Sequence, residues 1–324
     1  MDISSFAPVV IPTLCRDVHF IRCVESLKKN KYANKTHLII AVDYPSKPEH
    51  WEGYRRICSY LDTISGFEKV TVIKREENWG AVRNGNAVRD LGFSLSDSVI
   101  FTEDDNEFSP NFLEYINKAL IRFKDDDRII WVTGYTKPYV FPSSYKNNFY
   151  IERWGSAWGC GFWRHKFEQY KDLYDIDYLK KLLLTRSIRR ELREKDAHYI
   201  YSILSMIKTG DVCGDTLIGC YSTLHDKYAI RPVLSKVRNH GQDGSGVHSA
   251  IVNPEVIRIQ EEHIIDESQS FEFSDDIFTM KPTGLVEPFP KVRHPFRNFV
   301  KMCLRNFDLM CFLVFHRVPK SKYL

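Results

Sequence analysis

Cysteine pairs at metal-binding spacing are missing from this 324-residue chain. Its eight cysteines, Cys15, Cys23, Cys58, Cys160, Cys213, Cys220, Cys303 and Cys311, include no C-x-x-C pair, which argues against a structural zinc site. A chain this long needs no disulfide framework, so a reducing, cytoplasmic setting is expected. Net charge is also scarce. At +4 overall, the chain offers no basic field for nucleic acid, and no nucleic-acid partner is expected. The start, Met1-Asp2-Ile3-Ser4-Ser5-Phe6, lacks the basic-then-apolar order of a signal peptide. No uninterrupted apolar run is long enough to be a clear membrane span, and there is no internal repeat or low-complexity tract. What remains, 43% hydrophobic and 27% charged residues, suits one large α/β domain or two small ones. The 14% aromatic share serves cores and sugar-stacking faces alike.

The first half has a regular beat. Short apolar runs at 8–11, 38–42, 70–73 and 99–102 read as strands, with helical patterns at 17–29, 50–63 and 80–91 between them. A fifth strand is expected at 129–133. One strand about every 30 residues, each followed by a helix, predicts a mostly parallel sheet flanked by helices. Ligands of such sheets bind beyond the carboxyl ends of the strands. The residues there are Pro12 to Asp17, Asp43-Tyr44-Pro45, Asn78-Trp79-Gly80 and Glu103-Asp104-Asp105, which gather polar, charged and turn-forming side chains. The beat breaks near 135. Residues 145–170 are rich in Trp, Tyr, Phe and Gly, 178–208 are helical and basic, and Val237 to Ser249 form a Gly-rich loop. The expected organisation is a nucleotide-binding half (1–134), an acceptor-side and catalytic half (135–255) and a C-terminal extension (256–324).

The acidic triplet is the most informative turn. Ser109-Pro110 reads as an N-cap with proline in the first helical position, so the expected order is buried strand, acidic turn, helix 110–124. Carboxylates forced into that turn can hold Mg²⁺ or Mn²⁺, whose coordination is often completed by substrate phosphate. A solvated acidic turn at a helix start is the plainer alternative.

The stretch Val99 to Phe112, with Glu103-Asp104-Asp105 at its centre, resembles the D-x-D region of GT-A fold glycosyltransferases. It is most similar to family 2-like bacterial enzymes and to the N-acetylglucosaminyltransferase I group. The resemblance implies a GT-A (Rossmann-like) fold with Asp105 as metal ligand and Asp104 and Glu103 as donor contacts. Cys15-Arg16 resembles that group's basic residue near the nucleotide, with Thr13 beside it, and a guanidinium pairs well with phosphate. Asp43 resembles the residue that reads the uracil edge, a helix cap being the alternative. The segment Asn78 to Asn86 is similar to the family too: Gly80 allows close backbone approach, and Arg83 is expected near the diphosphate. Gly241 to His248 resembles a C-terminal loop of the bacterial enzymes, which implies His248 as a second metal ligand or phosphate contact. Ala157 to Trp163 resembles their W-G-x-x-x-W segment, so Trp158 and Gly159 are expected against a sugar, a core role for Trp158 and Trp163 being the alternative.

An inverting displacement needs one base near the acceptor hydroxyl. Gly214 to Gly219 lies where the related group carries that residue, so Asp215 is the candidate, with Asp211 in reserve. In the tail, Arg297, Lys301 and Arg305 recur at four-residue spacing among Phe296, Phe299, Phe307 and Met310. From Pro288 onward, eight Lys/Arg face one acidic residue, Asp308. Such a helix, within 291–324, can lie on the inner membrane surface, pack on the catalytic domain or join a dimer.

The resemblance implies an expected activity: an inverting, metal-dependent transferase moving a hexosyl or N-acetylhexosaminyl group from a nucleotide-sugar donor, a UDP-sugar, to a glycan or lipid-linked oligosaccharide. Its setting would be surface-polysaccharide synthesis, in the cytoplasm or peripheral to the membrane. The alternatives are a sugar-phosphate nucleotidyltransferase, which should carry a Gly-rich loop where residues 12–17 have no glycine, and a non-catalytic glycan-binding protein of the same fold.

Overall fold

The computed structural model describes residues 5–246, 254–274, 280–283, 285 and 295–319. They form two compact units, one of residues 1–166 with 228–289, the other of 167–227 with 290–324. The division follows packing and cuts across the three sequence segments.

The first unit is built on an eight-stranded sheet. Its strands are β1 (Val9–Thr13), β2 (His37–Val42), β3 (Lys69–Lys74), β4 (Ser98–Phe101), β6 (Ile129–Thr133), β7 (Phe149–Glu152), β8 (Cys160–Trp163) and β9 (Tyr228–Pro232). The spatial order is β3-β2-β1-β4-β8-β6-β9-β7. β1 to β4 run parallel, as do β6 and β9, while β8 lies antiparallel between β4 and β6 and β7 antiparallel beside β9. A second sheet of two strands pairs β5 (Asn106–Phe108) with β10 (Val237–Asn239). Its helices are α1 (Asp17–Lys28), α2 (His50–Leu61), α3 (Gly80–Leu95), α4 (Phe112–Arg122), the single turn α5 (Arg164–Phe167) at the unit's edge, and α10 (Pro254–Glu261). This is the expected α/β architecture, with a mostly parallel central sheet flanked by helices.

The strands form where apolar runs allow burial on both faces. Val9, Val10, Ile11, Leu38, Ile39, Ile40, Val99 and Ile100 are all fully buried. At the edge, β3 is largely exposed and alternates with Lys69 and Lys74. Chain order reverses between β1 and β4, the usual place for a ligand crevice. Pro12 ends the β1–β4 ladder there. The last β1–β4 pair is Val10 with Phe101, and Pro12 has no N–H to extend the ladder.

The region after the acidic triplet differs from expectation. β5 intervenes between the turn and α4, Asn111 rather than Ser109 is the N-cap, and the helix starts at Phe112. The reason is the partner: Asn106-Glu107-Phe108 extends because Val237–Asn239 pairs with it. Behind α4, buried ions fix the later chain. Lys236 pairs with Asp266, which also accepts from Asn111 Nδ2 at 3.0 Å. Glu114 takes Lys31 at 2.9 Å, Lys118 at 3.0 Å and the Phe271 amide at 2.8 Å.

The second unit is helical: α6 (Ile176–Leu184), α7 (Arg186–Asp196), α8 (His198–Thr209), α9 (Gly214–His225) and α11 (Pro295–Phe315). Asp175 caps α6 by accepting the Tyr178 amide at 2.7 Å. Leu179, Leu183, Leu192, Ile203, Leu204 and Leu217 form its interior. α11 has two opposed faces. Asp308, Leu309 and Phe312 are buried toward α8, where Tyr201 Oη donates to Asn306 at 2.8 Å and Lys208 pairs with Asp308 at 3.3 Å. On the other side Phe296, Phe299, Cys303, Phe307, Met310 and Val314 recur every three or four residues and are exposed. Among the described residues, no helix is long and apolar enough to cross a membrane.

Candidate functional site

The site begins at the β1/β4 crevice. β4 ends at Phe101, and buried Thr102 braces the turn by accepting Asn106 Nδ2 at 3.0 Å. Asp104 and Asp105 follow, only 4% and 7% exposed. Two ionised carboxylates so buried must be paired. One cation serves both: Arg16, just beyond β1, places Nη1 2.8 Å from Asp105 Oδ2 and Nη2 against Asp104 Oδ1. Thr13 Oγ1 donates to Asp104 Oδ2 at 2.7 Å, and Asn239 Nδ2 to Asp105 Oδ1 at 2.7 Å. Burial raises the Asp104 carboxyl above its ordinary range despite Arg16, with the Asp105 charge adding to the rise. Arg16 is lowered by burial, but the two carboxylates outweigh this and hold it firmly protonated. Thr13, Arg16, Asp104 and Asp105, named from separate turns, thus meet in one network. Glu103 stands at its edge, where its carbonyl accepts Asn106 Nδ2 at 3.4 Å.

The second small sheet brings in residues that sequence reasoning missed. Asn239 and Asn106 bond each other at 3.0 Å, and the His240 amide donates to the Asp105 carbonyl at 2.9 Å. Gly241 passes so close that an added Cβ would lie 2.0 Å from Asp105 Oδ2. Its motif was legible; the three-residue strand ahead of it was not. The loop root is also tied to α1, with His19 Nε2 2.9 Å from Asp243 Oδ2. His248 lies outside the described residues.

Asp43, Asn78 and Gly80 form a neighbouring cluster. The Asp43 amide donates to the Thr13 carbonyl at 2.8 Å, which ties it to the first network. Its carboxylate accepts the Trp79 and Gly80 amides, both at 2.8 Å, and the Tyr44 amide at 2.9 Å. It thereby holds the start of α3, where free N–H groups favour an anion. Asn78 Nδ2 donates to the Tyr44 carbonyl at 2.6 Å. Gly80 has φ 75°, a left-handed conformation that glycine takes without strain, and open space where a side chain would be. Arg83 and Arg75 cover the Trp79 ring, their guanidinium carbons 4.0 and 3.9 Å from its centroid.

On the other side of β4, Trp158 is half-buried with its ring edge-on to Tyr135, centroids 4.6 Å apart. The Gly159 carbonyl accepts the Gly134 amide at 2.7 Å. Trp163, by contrast, is a core residue: 2% exposed, with Nε1 donating to the Leu120 carbonyl at 2.8 Å. Asp215 and Asp211 belong to the helical unit. Asp215 sits in the first turn of α9, where Oδ1 accepts the Thr216 amide at 2.6 Å and Cys213 Sγ lies 2.9 Å away. Asp211 is exposed, its amide bonded to Thr209 Oγ1 at 3.1 Å.

No group of three His, Cys, Asp or Glu suited to a metal ion occurs among the described residues. Two adjacent buried carboxylates that already hold a cation do fit the oxygen-donor part of a Mg²⁺ or Mn²⁺ site, whose remaining positions go to water and phosphate.

A mostly parallel sheet with an acidic pair at its switch point is the arrangement expected of a GT-A type glycosyltransferase. The family model for "Glycosyl transferase family 2" matches residues 9–178, and the chain belongs to that family. No curated protein matches the chain. Among solved structures it is similar to a mannosyltransferase from Pyrobaculum calidifontis, in complex with GDP-Man and Mn²⁺, at 11% identity and TM-score 0.38, over 69% of this chain and 71% of that one. It is also similar to mouse xyloside xylosyltransferase 1, apo form, at 10% identity and TM-score 0.40, over 68% and 83% of the two chains. A third is S. aureus TarS 1-349, at 11% identity and TM-score 0.36, over 62% and 69%. At such scores these likenesses add nothing to the family assignment.

Proposed function

We propose that this glycosyltransferase is inverting and metal-dependent, and moves a hexosyl or N-acetylhexosaminyl group from a UDP-sugar to a glycan or lipid-linked oligosaccharide in surface-polysaccharide synthesis. The observation that carries the reading is the buried Asp104–Asp105 pair at the β1/β4 crevice, balanced by one guanidinium. Residues 1–134 form the donor half and 135–255, which include Asp215, the acceptor and catalytic half.

Asp105, with His248, would hold Mn²⁺ or Mg²⁺. A divalent ion there supplies Lewis-acid stabilisation of the departing nucleoside diphosphate. Asp104 and Glu103 face the donor's ribose and sugar. Asp43 either reads the base edge or, through the amides it binds, fixes the α3 N-terminus beside the diphosphate. Trp158 and Gly159 bound the sugar. Asp215 takes the proton from the acceptor hydroxyl, with Asp211 in reserve, as that oxygen bonds to the anomeric carbon and the bond to the diphosphate oxygen breaks. The exposed face of α11, within a segment of eight Lys/Arg and one Asp, supports a peripheral position on the cytoplasmic side of an inner membrane, where lipid-linked acceptors lie.

Calorimetry with UDP and Mn²⁺ tests the donor end. Saturable binding that Asp105→Asn weakens is the expected result. Absence of binding by the wild-type chain would contradict the reading and favour a glycan-binding protein of the same fold.

A further inference from the structure

We propose that Arg16 is the resident counter-cation of Asp104 and Asp105 and exchanges with the divalent ion, so that metal binding turns its guanidinium away from the acidic pair and frees it for the donor's diphosphate. The inference rests on reading that pair as the metal site.

The argument is one of occupancy. Each of the four carboxylate oxygens has a donor. Thr13 takes Asp104 Oδ2 and Asn239 takes Asp105 Oδ1, both at 2.7 Å. The other two, Asp104 Oδ1 and Asp105 Oδ2, are the pair that Arg16 spans. An ion reaching both carboxylates therefore needs the oxygens that Arg16 holds. Charge points the same way. One guanidinium leaves two buried carboxylates with a net negative charge, whereas a divalent ion neutralises both.

Arg16 can also leave. It is the N-cap residue of α1, yet its side chain makes no cap bond there, and it is 20% exposed, so leaving costs the helix no side-chain bond. A planar guanidinium then finds an equivalent partner in a diphosphate. The device keeps the buried carboxylates paired when no metal is present. It also makes metal affinity depend on a second partner for Arg16.

The test uses the full chain and Mn²⁺ alone, with binding followed by the electron paramagnetic resonance signal of free Mn²⁺. If Arg16 clears the site in roughly a tenth of molecules, Arg16→Ala binds Mn²⁺ about tenfold more tightly than wild type. Arg16→Lys separates exchange from a simple field effect. It keeps the charge but cannot bridge both carboxylates, so its affinity is expected between the other two. Should Arg16→Ala fail to fold, the Arg16→Lys gain over wild type decides. Wild-type affinity in both variants, or a gain in Arg16→Ala with none in Arg16→Lys, overturns the exchange and leaves the metal site standing. No Mn²⁺ binding by any of the three, with or without inorganic pyrophosphate, overturns the metal site and the exchange together.

Discussion

Asn239 Nδ2 donates to Asp105 Oδ1 across 2.7 Å, although 134 residues separate the two in the chain. The contact exists because β10 pairs with β5 immediately after the acidic turn. It fixes one oxygen of the expected metal ligand. Asn239→Ala should therefore lower Mn²⁺ affinity and turnover by about 10- to 100-fold, the usual effect of removing a partner of a ligand. The fold should survive, as read by circular dichroism. Unchanged kinetics would remove Asn239 from the site.

Asp215 carries the proposed base role. Asp215→Asn should cut turnover by about 10²- to 10⁴-fold while leaving calorimetric donor binding intact. Wild-type turnover in that variant would pass the role to Asp211, tested by the same substitution there.

The exposed face of α11 predicts lipid binding. Phe299 and Phe307, 58% and 56% exposed, offer apolar area left uncovered among the described residues. Burying each in a bilayer interface is worth about 2 kcal/mol, so the double change to Glu should weaken cosedimentation with anionic vesicles by about a hundredfold or more. Melting temperature should stay near wild type, since Leu309 and Phe312 still pack. Equal binding would make the helix a protein contact.

The Lys236–Asp266 pair predicts an acid limb of stability. Burial raises the Asp266 carboxyl, but the bonds from Lys236, Asn111 and Ser268 prevail and hold it at about 2, below its usual 3.8. Burial lowers the Lys236 ammonium more than Asp266 raises it. A depressed carboxyl stabilises the fold above its unfolded value and loses that contribution as pH falls toward the folded one. Asp266→Asn, which leaves a 1%-exposed lysine unpaired, should cost about 3–5 kcal/mol at neutral pH. Urea unfolding should show the gap to wild type closing as pH falls from about 4 to about 2. A gap constant with pH would contradict the assignment.

Much of this was legible because apolar runs bury on both sides of a parallel sheet. The run at 129–133 coincides with β6, and the expected helix 17–29 ends one residue late. Thr13, Arg16, Asp104 and Asp105 were legible as strand-end residues. β5 and β10 were not, since each has three residues, mixed polarity and a partner about 130 positions away. Asn239 and its hold on Asp105 were hidden with them. The helical pattern at 178–208 was readable, but not that 167–227 packs on itself as a unit, because that depends on which helix faces meet. Trp158 and Trp163 look alike in sequence. Trp163 lies within β8 and is buried with its Nε1 on the Leu120 carbonyl of α4, whereas Trp158 precedes the strand and stays half-open.

The most direct test of the central claim is donor hydrolysis and transfer across UDP-, GDP- and dTDP-sugars with Mn²⁺ or Mg²⁺, run on wild type and Asp105→Asn. Release of UDP from a UDP-sugar, dependent on the metal and lost in Asp105→Asn, is the predicted result. Turnover that ignores both the metal and Asp105, or none with any donor, would contradict it.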